Sequence, residues 1–198
     1  MSGSRRRLSA RESRAVALEA ARALLVEGGP QAVTLKAVAS RVNRTHANLL
    51  HHFGSAGGLQ RALADYLATI VCAEISEAVV KMQSGVGDAR QTVDLVFDAF
   101  GSQGGGQLAA WMLSSGHSGA LDPILDAVHQ LIDKLMPNDL TEDEVRARRE
   151  LTYSLVLMAL GESLLGAELA SSLSVDRDAA RSHGEEMIDF AFARYRAA

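Results

Sequence analysis

The densest run of chemistry-bearing side chains is Arg44–Gly54, RTHANLLHHFG, where an arginine, a threonine, an asparagine and three histidines surround Leu49, Leu50 and Phe53. Histidines suggest a metal, but the spacing excludes one. His51 and His52 are adjacent, so on a helix they diverge by about 100° and cannot share an ion. His46 precedes His51 by five residues, and neither H-x-x-x-H nor C-x-x-C occurs in the chain. A second candidate is GHSGA, Gly116–Ala120, which has the outline of a nucleophile elbow around Ser118. That elbow needs a strand before the serine and a helix after it. The preceding QLAAWML reads as helix, so this stretch is expected to be an interhelix loop. No paired catalytic carboxylates or glycine-rich phosphate loop stand out, and the expectation is a protein that is not an enzyme, with no cofactor and no metal. The single cysteine, Cys72, rules out an internal disulfide framework and fits a reducing cytoplasm.

Charge is unevenly placed. Residues 1–61 hold ten Lys and Arg against three Asp and Glu, whereas residues 62–198 hold ten against 21. A basic first third, which includes the arm Arg5–Arg7, implies a polyanionic partner for that part of the chain. No apolar run approaches the ~20 residues of a membrane span. The basic N-terminus has no apolar segment behind it, so it does not read as a secretory signal. The expected location is cytoplasmic, with no membrane partner.

The elements that position these residues read as helices throughout. Ser9 and Glu12 have capping-box spacing before an amphipathic stretch that EGGP ends. Thr34 and Thr45 are N-cap residues for two short helices, LKAVASRV and HANLLHHF, the second ending at Gly54. A long helix is expected at about 56–82, then DARQTVDLVFDAF, QLAAWML, a helix at about 121–135, one from the Thr141/Glu144 capping box to about 169, and a last at about 176–195. The prediction is an all-α fold of about nine helices. It divides into an N-terminal three-helix domain, residues 1–55, and a larger helical body, residues 56–198.

Residues 35–53 have the pattern of a helix-turn-helix. Val38, Val42 and Leu49 face inward, Ala39 is small at the crossing, and Asn43 occupies a turn that needs positive φ. The second helix then presents Arg44, Thr45, His46, Asn48 and His51 outward, suited to the donors and acceptors of a DNA major groove. Thr34 is placed to meet a phosphate. The stretch TLKAVASRVNRTHANLLHHFGSAGGLQRAL, preceded by a capped helix and a GG break, resembles the DNA-binding domain of TetR-type transcriptional regulators. Thr34, Val38-Ala39, Thr45, Leu49, His51–Ser55 and Leu59 carry the resemblance, which covers residues 10–62. Four positions depart from it. Asn43 stands for the turn glycine and Arg44 for an apolar residue. Leu50 stands for a tyrosine that often touches the DNA backbone, and Ala56 for a phosphate-pairing lysine.

In the second half, Phe97, Phe100, Trp111, Met112 and Met158, with Met82, are candidates to line an apolar ligand cavity, and His117 and Glu162 to supply its polar groups. LVLMALGESLLGAEL is apolar nearly all round, and Gly161 and Gly166 permit close helix approach, so this helix and the last one are expected to form a dimer surface. The resemblance implies a homodimer whose two recognition helices meet a palindromic double-stranded DNA operator. It also implies repression relieved by a small-molecule effector. The alternative is a helical ligand-binding or scaffold protein whose DNA-binding half has decayed, a reading that Leu50 and Ala56 favour.

Overall fold

The computed structural model describes residues 9–115, 119–136 and 140–196. Among them are nine α-helices and no strand: α1 Ala10–Gly28, α2 Leu35–Arg41, α3 His46–Phe53, α4 Ala56–Gln83, α5 Ala89–Phe100, α6 Gly105–Ser114, α7 Asp122–Leu135, α8 Glu142–Leu173 and α9 Ala179–Arg196, with a 3-10 turn at Pro30–Ala32. Both expected capping boxes form, Ser9 with Glu12 and Thr141 with Glu144. Each satisfies donors at a helix start that have no intrahelical partner. Gly29 ends α1 at φ 73°, and Pro30 then prevents the helix from continuing.

Two element boundaries differ from the sequence expectation. The segment SSL, expected as loop, continues α8 to Leu173, and the helix stops only at Ser174, which takes a left-handed conformation (φ 57°) and donates its N–H to the Ala170 and Ser171 carbonyls. The last helix starts later than Asp176, because the Asp176 carboxylate accepts from the Asp178 N–H and holds a turn there. Both shifts come from hydrogen bonds made by backbone N–H groups at helix ends, which composition does not specify.

The buried residues form two apolar clusters. The first joins α1, α2, α3 and the start of α4 around Leu25, Val38, Leu49, Leu59 and Leu63, and it also takes in Leu108 and Met112 of α6. The second joins the end of α4 to α5, α8 and α9 around Val93, Phe97, Leu155, Ala159 and Ile188. α4 therefore carries residues of both clusters along one continuous helix. Contact between α6 and α1 is close. A Cβ at Gly104, which begins α6 at φ 79°, would lie 3.0 Å from Leu25 Cγ.

Ion pairs hold α9 against α5. Arg90 bonds Asp178 at 2.6 and 2.7 Å and Asp94 at 3.1 Å. Arg181 bonds Asp94 and Asp98, each at 2.7 Å, with its guanidinium 5.2 Å from the centre of the Phe97 ring. The Arg90 hydrogen bonds pull the Asp178 carboxyl below its ordinary value. Forked guanidinium–carboxylate pairing fixes the helices' relative rotation as well as their separation.

Candidate nucleic-acid interface and ligand cavity

The interface is built from the turn between α2 and α3. Thr34 caps α2 by accepting from the Ala37 N–H at 3.1 Å, and the helix buries Leu35, Val38 and Ala39. The chain leaves α2 through Asn43 at φ 50°, and the Arg44 N–H reaches back to the Ala39 carbonyl at 2.9 Å. Asparagine tolerates this left-handed conformation better than other residues with a Cβ, so the turn forms without glycine. Thr45 then caps α3, accepting from the Asn48 N–H at 3.2 Å. Leu49 and Phe53 anchor α3 in the first cluster. From the other side, Arg14 on α1 donates to the His52 carbonyl at 2.7 Å, and its guanidinium lies 4.6 Å from the Phe53 ring centre.

This anchoring leaves Arg44, Thr45, His46, Leu50 and His51 exposed, with Asn48 only half-buried. Thr34 is exposed at the start of α2. Of the seven residues expected to face DNA, six are exposed and Asn48 is half-buried. Thr45 has a second task, since its hydroxyl oxygen is the cap of α3. Ala47 is also exposed, beside His46 and one turn before Leu50 and His51. It was missed because it carries no polar group, although its place on the outward face followed from helical spacing. Not every nearby cation is available. Arg41 is engaged by Glu27 through two hydrogen bonds of 2.9 and 2.6 Å, which also hold the Glu27 carboxyl below its ordinary value. Lys36 is exposed on α2. The arm Arg5–Arg7 lies outside the described residues.

A cavity of about 220 Å³ lies between α4, α5, α7 and α8, lined almost wholly by carbon. α5 contributes Thr92, Val96, Ala99, Phe100 and the following Gln103, and α6 contributes Gly105 and Leu108. Of the residues expected there, Phe100 lines the cavity, as does Met82 at the end of α4. The others do not. Phe97 is fully buried in the second cluster, under Arg181, and Met112 packs in the first cluster. Trp111 is 44% exposed on the surface of α6, and Met158 packs at the edge of the second cluster. Glu162 is paired with Arg177 at 3.4 Å and lies against Gly101 and Gly166. His117 lies outside the described residues, as does Ser118. These placements have one cause. Helical spacing finds an apolar face, but only packing decides whether that face meets a neighbour or a void.

The missed wall is α7. Ile124, Val128, Leu131, Ile132 and Leu135 all line the cavity, and no α7 residue is fully buried. A strongly amphipathic helix with none of its apolar residues fully buried is what a cavity wall requires. The i, i+4, i+7, i+8 and i+11 spacing was legible in the sequence.

The arrangement is a helix-turn-helix DNA-binding module on an all-α body that contains an apolar cavity. Residues 17–63 match the model of the family described as bacterial regulatory proteins, tetR family, so this module is similar to the DNA-binding domain of that family. Over the whole chain the fold is similar to that of a Rhodococcus sp. protein assigned to the TetR-family transcriptional regulators, with a TM-score of 0.58 and 18% sequence identity, covering 93% of this chain and 99% of that one. No curated protein matches the chain in sequence.

Proposed function

We propose that the protein is a ligand-responsive transcriptional repressor that binds a palindromic DNA operator as a homodimer in the cytoplasm. The observation that carries this reading is the outward face of α3, with Arg44, His46 and His51 exposed around a turn held open by Asn43. Arg44, Thr45, His46, Asn48 and His51 read base edges and phosphates in the major groove, Ala47 and Leu50 offer apolar contact to thymine methyl groups, and Thr34 donates its hydroxyl to the backbone. Leu50 thus has a use on DNA that differs from a phosphate grip, which favours the regulator over a scaffold with a decayed DNA-binding half.

The homodimer is supported by an uncovered apolar face. Leu157, Leu164, Leu165 and Leu169 on α8 and Phe190 on α9 are each between 42% and 67% exposed, and a Cβ at Gly161 would meet nothing within 4 Å. α8 has the length and apolarity of a membrane span, with 17% of that window buried. A second copy covering α8 and α9 accounts for the same exposure, since an apolar face of this extent marks an interaction surface. Two-fold symmetry then sets the two α3 helices about one DNA turn apart.

Residues 1–55 form the DNA-reading part and residues 56–198 the sensing and pairing part. α4 and α6 couple them. Leu108 of α6 lines the cavity and also belongs to the first cluster, and Gly104 abuts Leu25 of α1. A ligand that displaces α6 shifts α1 and the spacing of the recognition helices. It releases DNA only if it binds the released spacing more tightly. Fluorescence anisotropy with a duplex from upstream of the protein's own gene tests the reading. The expected result is saturable, salt-sensitive binding with preference over scrambled DNA. Absence of any sequence preference at low salt overturns it.

A further inference from the structure

Two tie points show that α4 and α7 run side by side in the same direction. Arg61 Nη2 donates to the Gly119 carbonyl at 2.9 Å, and further along both segments the Cys72 thiol donates to the Ala127 carbonyl at 3.6 Å. Both helices line the cavity along their length, α4 from Ala64 to Gln83 and α7 from Ile124 to Leu135. Their walls are about 28 Å and about 17 Å long at the helical rise per residue. The volume, about 220 Å³, exceeds the roughly 150 Å³ that holds benzene. Spread along such walls it is a narrow slot, suited to a chain more than to a compact molecule.

The slot offers little to a charge. No carboxylate, lysine or histidine is among the described residues that line it. Burial pushes the Cys72 thiol up, so this group on the wall stays uncharged at neutral pH. Arg148 is the one charged side chain among the described lining residues, and its charge already acts on the Glu144 carboxylate, one turn earlier on α8. A cation entering the slot would meet no counter-ion, and an anion would compete with Glu144. Either would exchange its hydration for walls of Leu, Ile, Val and Phe, which do not repay it.

One position asks for a polar atom. Thr92, Val96, Ala99, Phe100 and Gln103 recur at helical spacing and turn one face of α5 to the cavity. Thr92 is 5% exposed, and its hydroxyl is buried without a hydrogen-bond partner among the described residues. Buried hydroxyls are normally bonded, so this one calls for an acceptor. It lies toward the Met82 end of the slot. A Cβ at Gly87 would sit 3.1 Å from the Met82 nitrogen, α5 starts at Ala89, and Met82, Ala89 and Val93 share the second cluster.

We propose that the effector is an uncharged aliphatic chain with one oxygen acceptor near its end, a ketone or an ester. The acceptor receives the Thr92 hydroxyl, and the chain lies between α4 and α7. This inference rests on the ligand-responsive reading above and names the ligand's class.

Isothermal titration of the full-length protein, without DNA at about pH 7.5, compares nonan-2-one with nonanoate, both below their solubility and aggregation limits. The chains match and the heads differ in charge. The ketone is expected to bind about tenfold or more tightly, because a carboxylate far above its ordinary pKa enters an apolar site only at the cost of taking up a proton. Thr92→Val should weaken ketone binding about fivefold or more, since the ketone then no longer relieves an unbonded hydroxyl. Saturating ketone should also slow the modification by N-ethylmaleimide of Cys72, the single cysteine of the chain, which places the ligand in this cavity. Circular dichroism establishes that the variant is folded. Nonanoate binding as tightly as the ketone, no binding of the ketone, unchanged ketone binding in Thr92→Val, or an unprotected Cys72 overturns the proposal. A ketone that binds and protects Cys72 but leaves operator affinity unaltered sinks the ligand-responsive reading and leaves the ligand class of the cavity standing.

Discussion

Replacing Thr92 with valine should stabilise the ligand-free protein. The residue is 5% exposed and its Oγ1 is shielded from solvent without a hydrogen-bond partner among the described residues. An unsatisfied buried polar group costs about 1–3 kcal/mol relative to the bonded or absent group. Valine keeps the branched shape, and its helix propensity is close to that of threonine, so neither packing nor backbone preference offsets the gain. Taking about 1–2 kcal/mol as the gain, and about 2–4 °C per kcal/mol for a chain of this size, Tm should rise by roughly 2–8 °C. Thr152, which faces the same cavity, supplies the control. Its Oγ1 donates to the Arg148 carbonyl at 3.0 Å, so Thr152→Val loses a made hydrogen bond and should lower stability by about 0.5–1.5 kcal/mol. Differential scanning calorimetry at one fixed protein concentration measures both, which matters because association shifts apparent stability. Opposite signs for the two threonines support the assignment. A lowered Tm in Thr92→Val would mean that the hydroxyl is satisfied, and the reasoning from an unbonded buried group would fail.

Three other outcomes are expected. Arg44 is exposed and only its backbone N–H is tied into the turn, so Arg44→Ala should leave Tm unchanged while weakening operator binding. With two copies per operator and about 0.9 of salt slope per phosphate contact, the slope of log K against log salt should flatten by about 1.8 in anisotropy titrations. Leu165 is 57% exposed on α8. Leu165→Glu should convert a dimer into a monomer in light scattering, whereas an uninvolved surface position would shift stability by no more than about 0.5 kcal/mol and leave the mass unchanged. Asp178 is held below its ordinary pKa chiefly by hydrogen bonds from Arg90. Its contribution is present above the unfolded carboxylate pKa and is lost as pH falls through the lower, folded value. Asp178→Asn should therefore lower Tm near neutral pH and reduce the loss of Tm on acidification, read from melts between about pH 7 and pH 3.

The sequence by itself determined the helices of the N-terminal domain and the outward side of α3. Thr34 and Thr45 can cap only where a helix starts, Asn43 suits a turn that excludes most side chains, and Leu49 and Phe53 at i and i+4 can bury only one face of α3. These are local rules, satisfied within a few residues, so the outward set from Arg44 to His51 followed from them. The regulatory half depends on contacts distant in sequence. Its aromatic and methionine residues were legible as apolar faces, but α5 turns Phe100 to the cavity and Phe97 away from it, and nothing in the spacing of those two residues distinguishes them. Glu162 stood out as a carboxylate in an apolar helix, and it was Arg177, 15 residues on, that gave it a structural partner. The cavity exists only because α4, α5, α7, α8 and α9 pack without filling the space between them. A void is a property of packing among elements, and tertiary structure alone decides where it falls.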